Sequence, residues 1–196
     1  MKYLLIIASL VFVFSCKKEV DGNLSVFAPI QLQWRTGNLE YREGDHRGLI
    51  RLSNDEKFKL FIDGRKEYHT FRFPKGTKLP ERNGEIFLTA AQVKQPYDVY
   101  ATVNTERRES EVRRHWESCY YQRPYTVCTV DRNGRRRCYT EYESHHGRRE
   151  VEYIDVYTDR LYELDLLTQG TRTAMAKFNG SHSETDRRYI YQGQCY

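Results

Sequence analysis

The sequence lacks an apolar run of the length that a membrane-spanning helix needs, which is about 20 residues. Its longest run, residues 4–14, is interrupted only by Ser9 and has roughly half that length. No second run approaches it, and mean hydropathy is −0.81. We therefore expect everything after this run to fold in water.

The common motifs of catalysis are also missing. The chain contains no Gly-x-Ser-x-Gly, no glycine-rich phosphate loop and no His-Glu-x-x-His. Catalytic groups can be scattered in sequence, so a secreted hydrolase built from separate His, Asp and Glu residues stays open as an alternative. No residue can be named for such a reaction, and we expect a non-catalytic role.

The N-terminus combines three features of an export signal. Met1 and Lys2 precede the apolar run, which has the length of a signal-peptide core. Ser15 and Cys16 follow the run at once, and two lysines come next. A small residue directly before a cysteine at this position resembles the lipobox of bacterial lipoproteins. The resemblance covers residues 1–18 only.

The resemblance implies a lipid anchor. Residues 1–15 would be removed as a signal peptide, and Cys16 would carry diacylglyceryl and acyl chains, with no other cofactor expected. Residues 16–23 would form a lipidated tether and residues 24–196 a β-rich mature domain. In Gram-negative members of this class, Asp after the cysteine retains the protein at the inner membrane. Lys17 stands there, which implies a lipid-anchored envelope protein, at the outer membrane if the host is Gram-negative.

Aromatic residues are abundant, with 16 Tyr, 9 Phe and 2 Trp. They favour strands, and residues 26–34, 58–62 and 151–157 alternate apolar and polar side chains with period two. These patterns predict an all-β fold, an antiparallel β-sandwich or a barrel-like sheet. Two small β-subdomains with a boundary near residues 104–110 are an alternative to one continuous sheet.

Turn signals recur about every ten residues, as expected for such folds. Thr158-Asp159 and Asn179-Gly180 are predicted to interrupt the C-terminal strands, and residues 144–147 to form a solvated turn. The charged residues 106–117 would also fit a short exposed helix.

Four cysteines remain after Cys16, and an even number in an exported protein favours two disulfides. Asp131-Arg132-Asn133-Gly134 suits a type I turn, with Gly in the left-handed position. A three-residue loop centred on Asn133 places Cys128 directly opposite Cys138, within disulfide reach. Cys119 and Cys195 then form the second pair.

A metal site is a weaker interpretation of these residues. The cysteine spacing lacks the short Cys-x2-Cys of zinc sites. His145 and His146 are the only histidine cluster and lie near Glu141, Glu143 and Glu150, which makes the two histidines candidates for metal binding or for a general base. On a strand, adjacent side chains point to opposite faces, so the two imidazoles would not share one ion.

Net charge is +5, and arginine dominates the cations. Arg135, Arg136 and Arg137 form the densest cluster and are candidates for binding phosphates or acidic sugars. Eleven Arg and eight acidic residues interleave over residues 106–150, a pattern typical of cross-strand ion pairs on an exposed sheet. Export argues against a nucleic-acid partner.

Two classes of function remain. The favoured one is a lipid-anchored, non-catalytic envelope module that binds a protein, a glycan or a polyanionic envelope component. The other is the secreted hydrolase. A flat Arg/Tyr surface would favour the first class, whereas a deep pocket holding His145 or His146 with two carboxylates would favour the second.

Overall fold

A computed structural model describes residues 18–53, 57–80 and 82–196. Strands make up 72% of the chain and helix 2%, and the antiparallel sheets are curled, which confirms the all-β prediction. The described elements are β1 Lys18–Val26, β2 Ile30–Trp34, β3 Gly37–Tyr41, β4 Gly44–Ser53, β5 Lys57–Ile62, β6 Tyr68–Arg72, β7 Gly84–Leu88, α1 Ala90–Val93, β8 Asp98–Glu109, β9 Arg113–Val130, β10 Arg136–Leu167 and β11 Ala174–Gln192.

The chain divides into two compact units. The first comprises residues up to Thr105 together with Arg160–His182, and the second comprises Glu106–Asp159 and Ser183–Tyr196. In the first unit the strands follow the order β6-β5-β4-β1-β11-β10-β8-β7, and β2 pairs with β3 in a separate sheet. In the second unit β9 pairs with β10.

The core of the first unit follows from alternation along its strands. Phe58 and Phe71 are directly paired on β5 and β6, and their rings stack 4.5 Å apart. Both are fully buried, as expected for side chains on the covered face of a sheet. The fully buried side chains of the first unit include Val20, Leu24, Ile30, Leu32, Phe58, Leu60, Ile62, Phe71, Val93, Leu166 and Phe178.

The segment expected to be a tether is a strand where the structure describes it. β1 begins at Lys18, pairs with β4 on one edge and has β11 on the other. Val20 and Leu24 are both fully buried. The prediction of a tether over 16–23 and a domain start at 24 is therefore wrong from residue 18 onward, because residues 18–23 are part of β1 and include the core residue Val20.

A row of three glycines crosses β4, β1 and β11, where Gly48 pairs with Gly22 and Gly22 with Gly180. The ring of Phe178 lies over the row, and a Cβ on any of the three would come within 2.8 Å of that ring. The absence of a side chain at Gly180 thus lets the Phe178 ring pack against the backbone, and β11 continues through this residue. The predicted break at Asn179-Gly180 is wrong for this reason.

Three further predictions on local structure are corrected. Residues 26–34 are not one strand, because the chain leaves β1 at Phe27 and Pro29, which cannot donate a ladder hydrogen bond, precedes β2. Residues 106–117 form the end of β8 and the start of β9 rather than a helix. Thr158-Asp159 lies inside β10, where the Asp159 carboxylate accepts hydrogen bonds from Arg108 and Ser183.

A buried polar network joins β3 and β6 with the end of β2. The His69 imidazole donates from Nδ1 to the Gln33 carbonyl at 2.9 Å, so Nε2 accepts from the Tyr41 hydroxyl at 2.7 Å. Gln95 donates to the carbonyls of Gln33 and Thr70. Burial lowers the pKa of His69, although the hydrogen bond to Gln33 opposes this. A neutral imidazole therefore fits the site.

Candidate binding surface on the long hairpin

The second unit is dominated by a hairpin in which β9 pairs with β10 without a bulge. The register runs from Arg136 opposite Val130 to Tyr153 opposite Arg113. At the tip, the Asp131 amide donates to the Arg135 carbonyl at 3.0 Å. Gly134 has φ 73°, the left-handed conformation that the turn requires. The predicted three-residue loop and its register are confirmed.

Both predicted disulfides are confirmed. Cys128 and Cys138 are opposite each other near the tip, with Cα atoms 4.0 Å apart. Cys119, further down β9, is bonded to Cys195, with a Cα–Cα distance of 6.0 Å. The first bond closes the hairpin and the second attaches the C-terminus to it.

The C-terminal residues lie along the edge of β10 that faces away from β9. Tyr196 exchanges two backbone hydrogen bonds with Arg148, at 2.9 and 3.2 Å, and the Gly193 amide donates to the Glu150 carbonyl. Gly147 makes this approach possible, because a Cβ there would lie 2.6 Å from the Tyr196 carbonyl oxygen. The hairpin is therefore three strands wide at this level.

Because side chains alternate along a strand, the register assigns every residue of the hairpin to one of two faces. We call the face that carries Tyr120 and Tyr142 the aromatic face. Its members between Trp116 and Thr126 on β9, and between Thr140 and Glu150 on β10, are Trp116, Ser118, Tyr120, Gln122, Pro124, Thr126, Thr140, Tyr142, Ser144, His146, Arg148 and Glu150.

On the aromatic face, cross-strand pairs that contain an aromatic ring alternate with pairs that contain hydrogen-bonding side chains; we call each such pair a row. Tyr120 lies opposite His146, and the next aromatic, Tyr142, follows four residues along β10, about 13 Å away. The row between them pairs Gln122 with Ser144, whose side chains hydrogen-bond at 2.8 Å. The same order repeats toward Trp116, so planar rings alternate with hydrogen-bonding groups.

The rings of this face are exposed although they contact one another. Tyr120 is 76% exposed and Tyr142 65%. The Tyr120 and His146 rings meet edge to face at 5.3 Å, and Trp116 meets Tyr196 in the same way at 6.2 Å. Such contacts hold rings in place and leave their outer surfaces available.

Charge also separates the two faces. From the row of Ser118 and Arg148 to the row of Val130 and Arg136, the aromatic face contains no acidic residue. The opposite face contains Glu141 and Glu143 over the same rows. The charged side chains of the aromatic face in these rows, Arg136 and Arg148, are therefore both basic, and no carboxylate competes for its hydrogen-bonding groups.

On the opposite face, the carboxylates interact with neighbouring side chains. The Tyr125 hydroxyl donates to Glu141 at 2.5 Å, and this hydrogen bond raises the pKa of Tyr125. Arg149 lies 3.6 Å from Glu117, the residue directly opposite it. On the aromatic face, Arg114 pairs with Glu152 at 2.6 Å in the same cross-strand manner. Cross-strand ion pairs, predicted from the interleaved charges, are confirmed.

The three clustered arginines do not share a surface. Arg135 lies in the turn, Arg136 on the aromatic face and Arg137 on the opposite face. All three are exposed. The three arginines therefore do not form one anion-binding site, because successive side chains of a strand point to opposite faces.

His145 and His146 lie inside β10, so the predicted turn at 144–147 is wrong; the ladder to β9 continues through it. The His145 ring stacks on Tyr121, and its Nε2 lies 3.3 Å from Glu143 without hydrogen-bond alignment. The His146 ring is on the other face, against Tyr120. Over residues 18–53, 57–80 and 82–196, no three His, Cys, Asp or Glu residues are grouped to hold a metal ion.

Comparison with known proteins gives no relative: no protein-family model, curated protein or solved structure matches the chain. Cys16 and the rest of residues 1–17 lie outside the described residues. Among the residues that are described, no helix has the length and apolar character to cross a membrane.

The aromatic face was not recognised from the sequence, although the signal for it was present. The predicted pairing of Cys128 with Cys138 already implies the register. Counting outward from it places Tyr120 opposite His146 and Tyr142 on the same face. The prediction of a turn at 144–147 ended the hairpin too early for this count to be made.

Proposed function

We propose that the chain is a lipid-anchored protein of the bacterial cell envelope that binds a linear glycan along the aromatic face and does not catalyse a reaction. The observation that carries the proposal is the alternation of exposed aromatic rows with hydrogen-bonding rows on the aromatic face, which has no carboxylate from the row of Ser118 and Arg148 to the hairpin tip. Exposed apolar surface that is grouped on one side of a protein often marks a binding site.

The shape of the face favours a linear polymer. From Ser118 to Val130 the strip is about 40 Å long, whereas two strands are only about 10 Å wide. A standard protein interface buries about 800 Å² per partner, and a strip of these dimensions provides roughly half of that. A chain-like ligand could contact the whole length, while a globular partner would contact only part.

The side chains of the strip match the chemistry of sugars. A pyranose ring has an apolar C–H face that packs on an aromatic ring, and its rim carries hydroxyl groups. Tyr120, His146 and Tyr142 provide the rings, while Gln122, Ser144 and Arg148 provide donors and acceptors. The distance between aromatic rows, about 13 Å, would place stacking contacts several sugar units apart.

The test is binding of the purified protein to isolated, insoluble envelope glycan by co-sedimentation. Tyr142→Ala and Tyr120→Ala should each weaken binding about tenfold, since a central aromatic contact contributes on the order of 1.5 kcal/mol. Tyr139→Ala is the matched control, because Tyr139 lies on the same strand, is 48% exposed and belongs to the opposite face. Equal loss in all three variants, or no binding by the wild type, contradicts the proposal.

The same assay separates the other candidates. Capture of an envelope protein in place of glycan, still lost in Tyr142→Ala, would move the function to a protein partner. Soluble sugar released during incubation would support the secreted hydrolase. Among the described residues, each of the two imidazoles stacks on or abuts a tyrosine, and Glu143 is the one carboxylate within ion-pair distance of either, which does not favour that reaction.

The anchor is tested separately through Cys16. Metabolic labelling with a clickable fatty acid should label the wild type, and Cys16→Ser should remain an unlabelled, uncleaved precursor. Equal labelling of both proteins would contradict lipidation at Cys16. Density-gradient fractionation tests which membrane carries the protein. Recovery with inner-membrane markers would exclude the outer membrane in a Gram-negative host.

A further inference from the structure

The first unit begins directly beside the proposed lipid. β1 starts at Lys18, and two residues of extended chain span at most about 7 Å. If Cys16 is lipidated, the end of the sheet that contains Lys18 must therefore lie at the level of the lipid headgroups. A domain on a flexible tether would be under no such restriction.

The register identifies the residues at this end of the sheet. Lys18 lies opposite Leu52 of β4, and Leu52 lies opposite Phe58 of β5. One row further toward the same end, Lys57 lies directly opposite Arg72 of β6. With strands about 4.8 Å apart, Lys57 and Arg72 are about 10 and 15 Å from β1.

This pairing is unfavourable for the isolated protein. Like charges directly opposite each other destabilise a sheet, and both Lys57 and Arg72 are exposed. Within the described residues neither side chain takes part in an ion pair. Lys75, three residues beyond Arg72, is exposed as well. We call Lys57, Arg72 and Lys75 the basic end.

Among the residues that the structure describes, no carboxylate forms an ion pair with Lys57 or Arg72; Asp55 and Glu56, which precede Lys57 in the sequence, lie outside the described residues. Lys59, two rows inward on β5, adds a further cation, and its ammonium lies over the Tyr68 ring at 4.0 Å. The nearest described carboxylate on these rows, Glu19, is engaged by Arg51 at 2.7 Å. An anionic surface would therefore relieve the repulsion between Lys57 and Arg72.

We propose that the basic end lies on the bilayer and contacts anionic phospholipid headgroups, so that the first unit is held on the membrane surface. The proposal rests on the lipid anchor at Cys16. Each Lys or Arg near an anionic surface increases the occupancy of the contact about fivefold. The interaction acts within a Debye length of roughly 8–10 Å, so cations at other positions contribute little.

Lysine footprinting of the wild-type protein tests this contact. The protein extracted from membranes is reconstituted in vesicles of phosphatidylcholine, with or without phosphatidylglycerol, and lysines are acylated with a water-soluble reagent. Labelling of Lys57 and Lys75 should fall about fivefold in the anionic vesicles only. Lys66 is the internal control, because it is exposed in the turn at the other end of the β5–β6 hairpin and should label equally in both.

Flotation of the same samples distinguishes the two proposals. Protein that floats with both vesicle types, with Lys57 and Lys75 labelled as fast as Lys66, retains its anchor and contradicts the docking. Protein that floats only with anionic vesicles and has an unmodified N-terminal peptide contradicts the anchor and supports the charged contact. Protein that floats with neither contradicts both.

A pair of variants checks that charge is the cause. Lys57→Gln with Arg72→Gln should abolish the protection of Lys75 in anionic vesicles. Arg65→Gln with Lys66→Gln removes the same charge from the opposite end of the hairpin and should leave that protection unchanged. Loss of protection in both double variants would assign the effect to net charge and overturn the proposed surface.

Discussion

The two disulfides should differ in their contribution to stability. Cys128→Ser with Cys138→Ser removes a bond between residues 10 apart, whereas Cys119→Ser with Cys195→Ser removes one between residues 76 apart. In the chain-entropy relation, cross-linking restricts the unfolded chain more for longer loops, by about 2.7 kcal/mol for the short one and about 4.5 kcal/mol for the long one. Paired replacement leaves no free thiol in either variant.

The structure strengthens this ranking. The turn hydrogen bonds of Asp131 hold the hairpin tip without the Cys128–Cys138 bond, so its loss should be local. The Cys119–Cys195 bond closes a loop that includes all of β10 and all of β11. Its removal should therefore affect global unfolding.

Denaturant and thermal unfolding measure the difference. At about 2–4 °C per kcal/mol for a chain of this length, Tm should fall by roughly 9–18 °C without Cys119–Cys195 and by roughly 5–11 °C without Cys128–Cys138. Peptide mapping under non-reducing conditions confirms that the remaining bond is intact. A larger loss on removal of the short bond would refute the reasoning.

Three further predictions concern single residues. Gly22→Ala should cost about 3 kcal/mol in a denaturant melt, because its Cβ would lie 2.2 Å from a backbone oxygen of β11, whereas Gly37→Ala, with nothing within 4 Å, should cost little. Gly147→Ala should displace Tyr196 and speed its release by carboxypeptidase; an unchanged rate would contradict the close approach. The free energy of unfolding should fall as pH drops below about 6.5, because the unfolded chain protonates His69 before the folded chain does, and His69→Gln should remove that part of the pH dependence.

The hairpin tip could be predicted from the sequence because its information is local. Asp131 and Gly134 specify the turn, the turn specifies the register, and the register pairs Cys128 with Cys138. All the residues involved in these steps lie between positions 128 and 138. The second bond followed by elimination, without any knowledge of where Cys195 lies.

The length of the strands could not be predicted in the same way. The hairpin is exposed on both faces over much of its length, so it lacks the apolar–polar alternation that reveals a half-buried strand. His145 and His146 therefore resembled a polar turn. β10 has 32 residues, far more than the usual five or six, and no local pattern indicates such a length.

The glycines were misread for a different reason. Asn-Gly predicts a turn when nothing else constrains the glycine. Gly180 is constrained by the Phe178 ring and by β1, where it lies opposite Gly22, a residue 158 positions away in the sequence. A contact between such distant residues becomes visible only once the strands are assembled.

Hydroxyl-radical footprinting of the wild-type protein, with and without envelope glycan, tests the central claim most directly. The four tyrosines to compare are Tyr120 and Tyr142 on the aromatic face, and Tyr125 and Tyr139 on the opposite face. All four are exposed and lie on the same two strands, so they differ mainly in the side of the hairpin they occupy. We predict that glycan protects Tyr120 and Tyr142 and leaves Tyr125 and Tyr139 as reactive as before. Protection of Tyr125 and Tyr139, or of none of the four, would contradict glycan binding along the aromatic face.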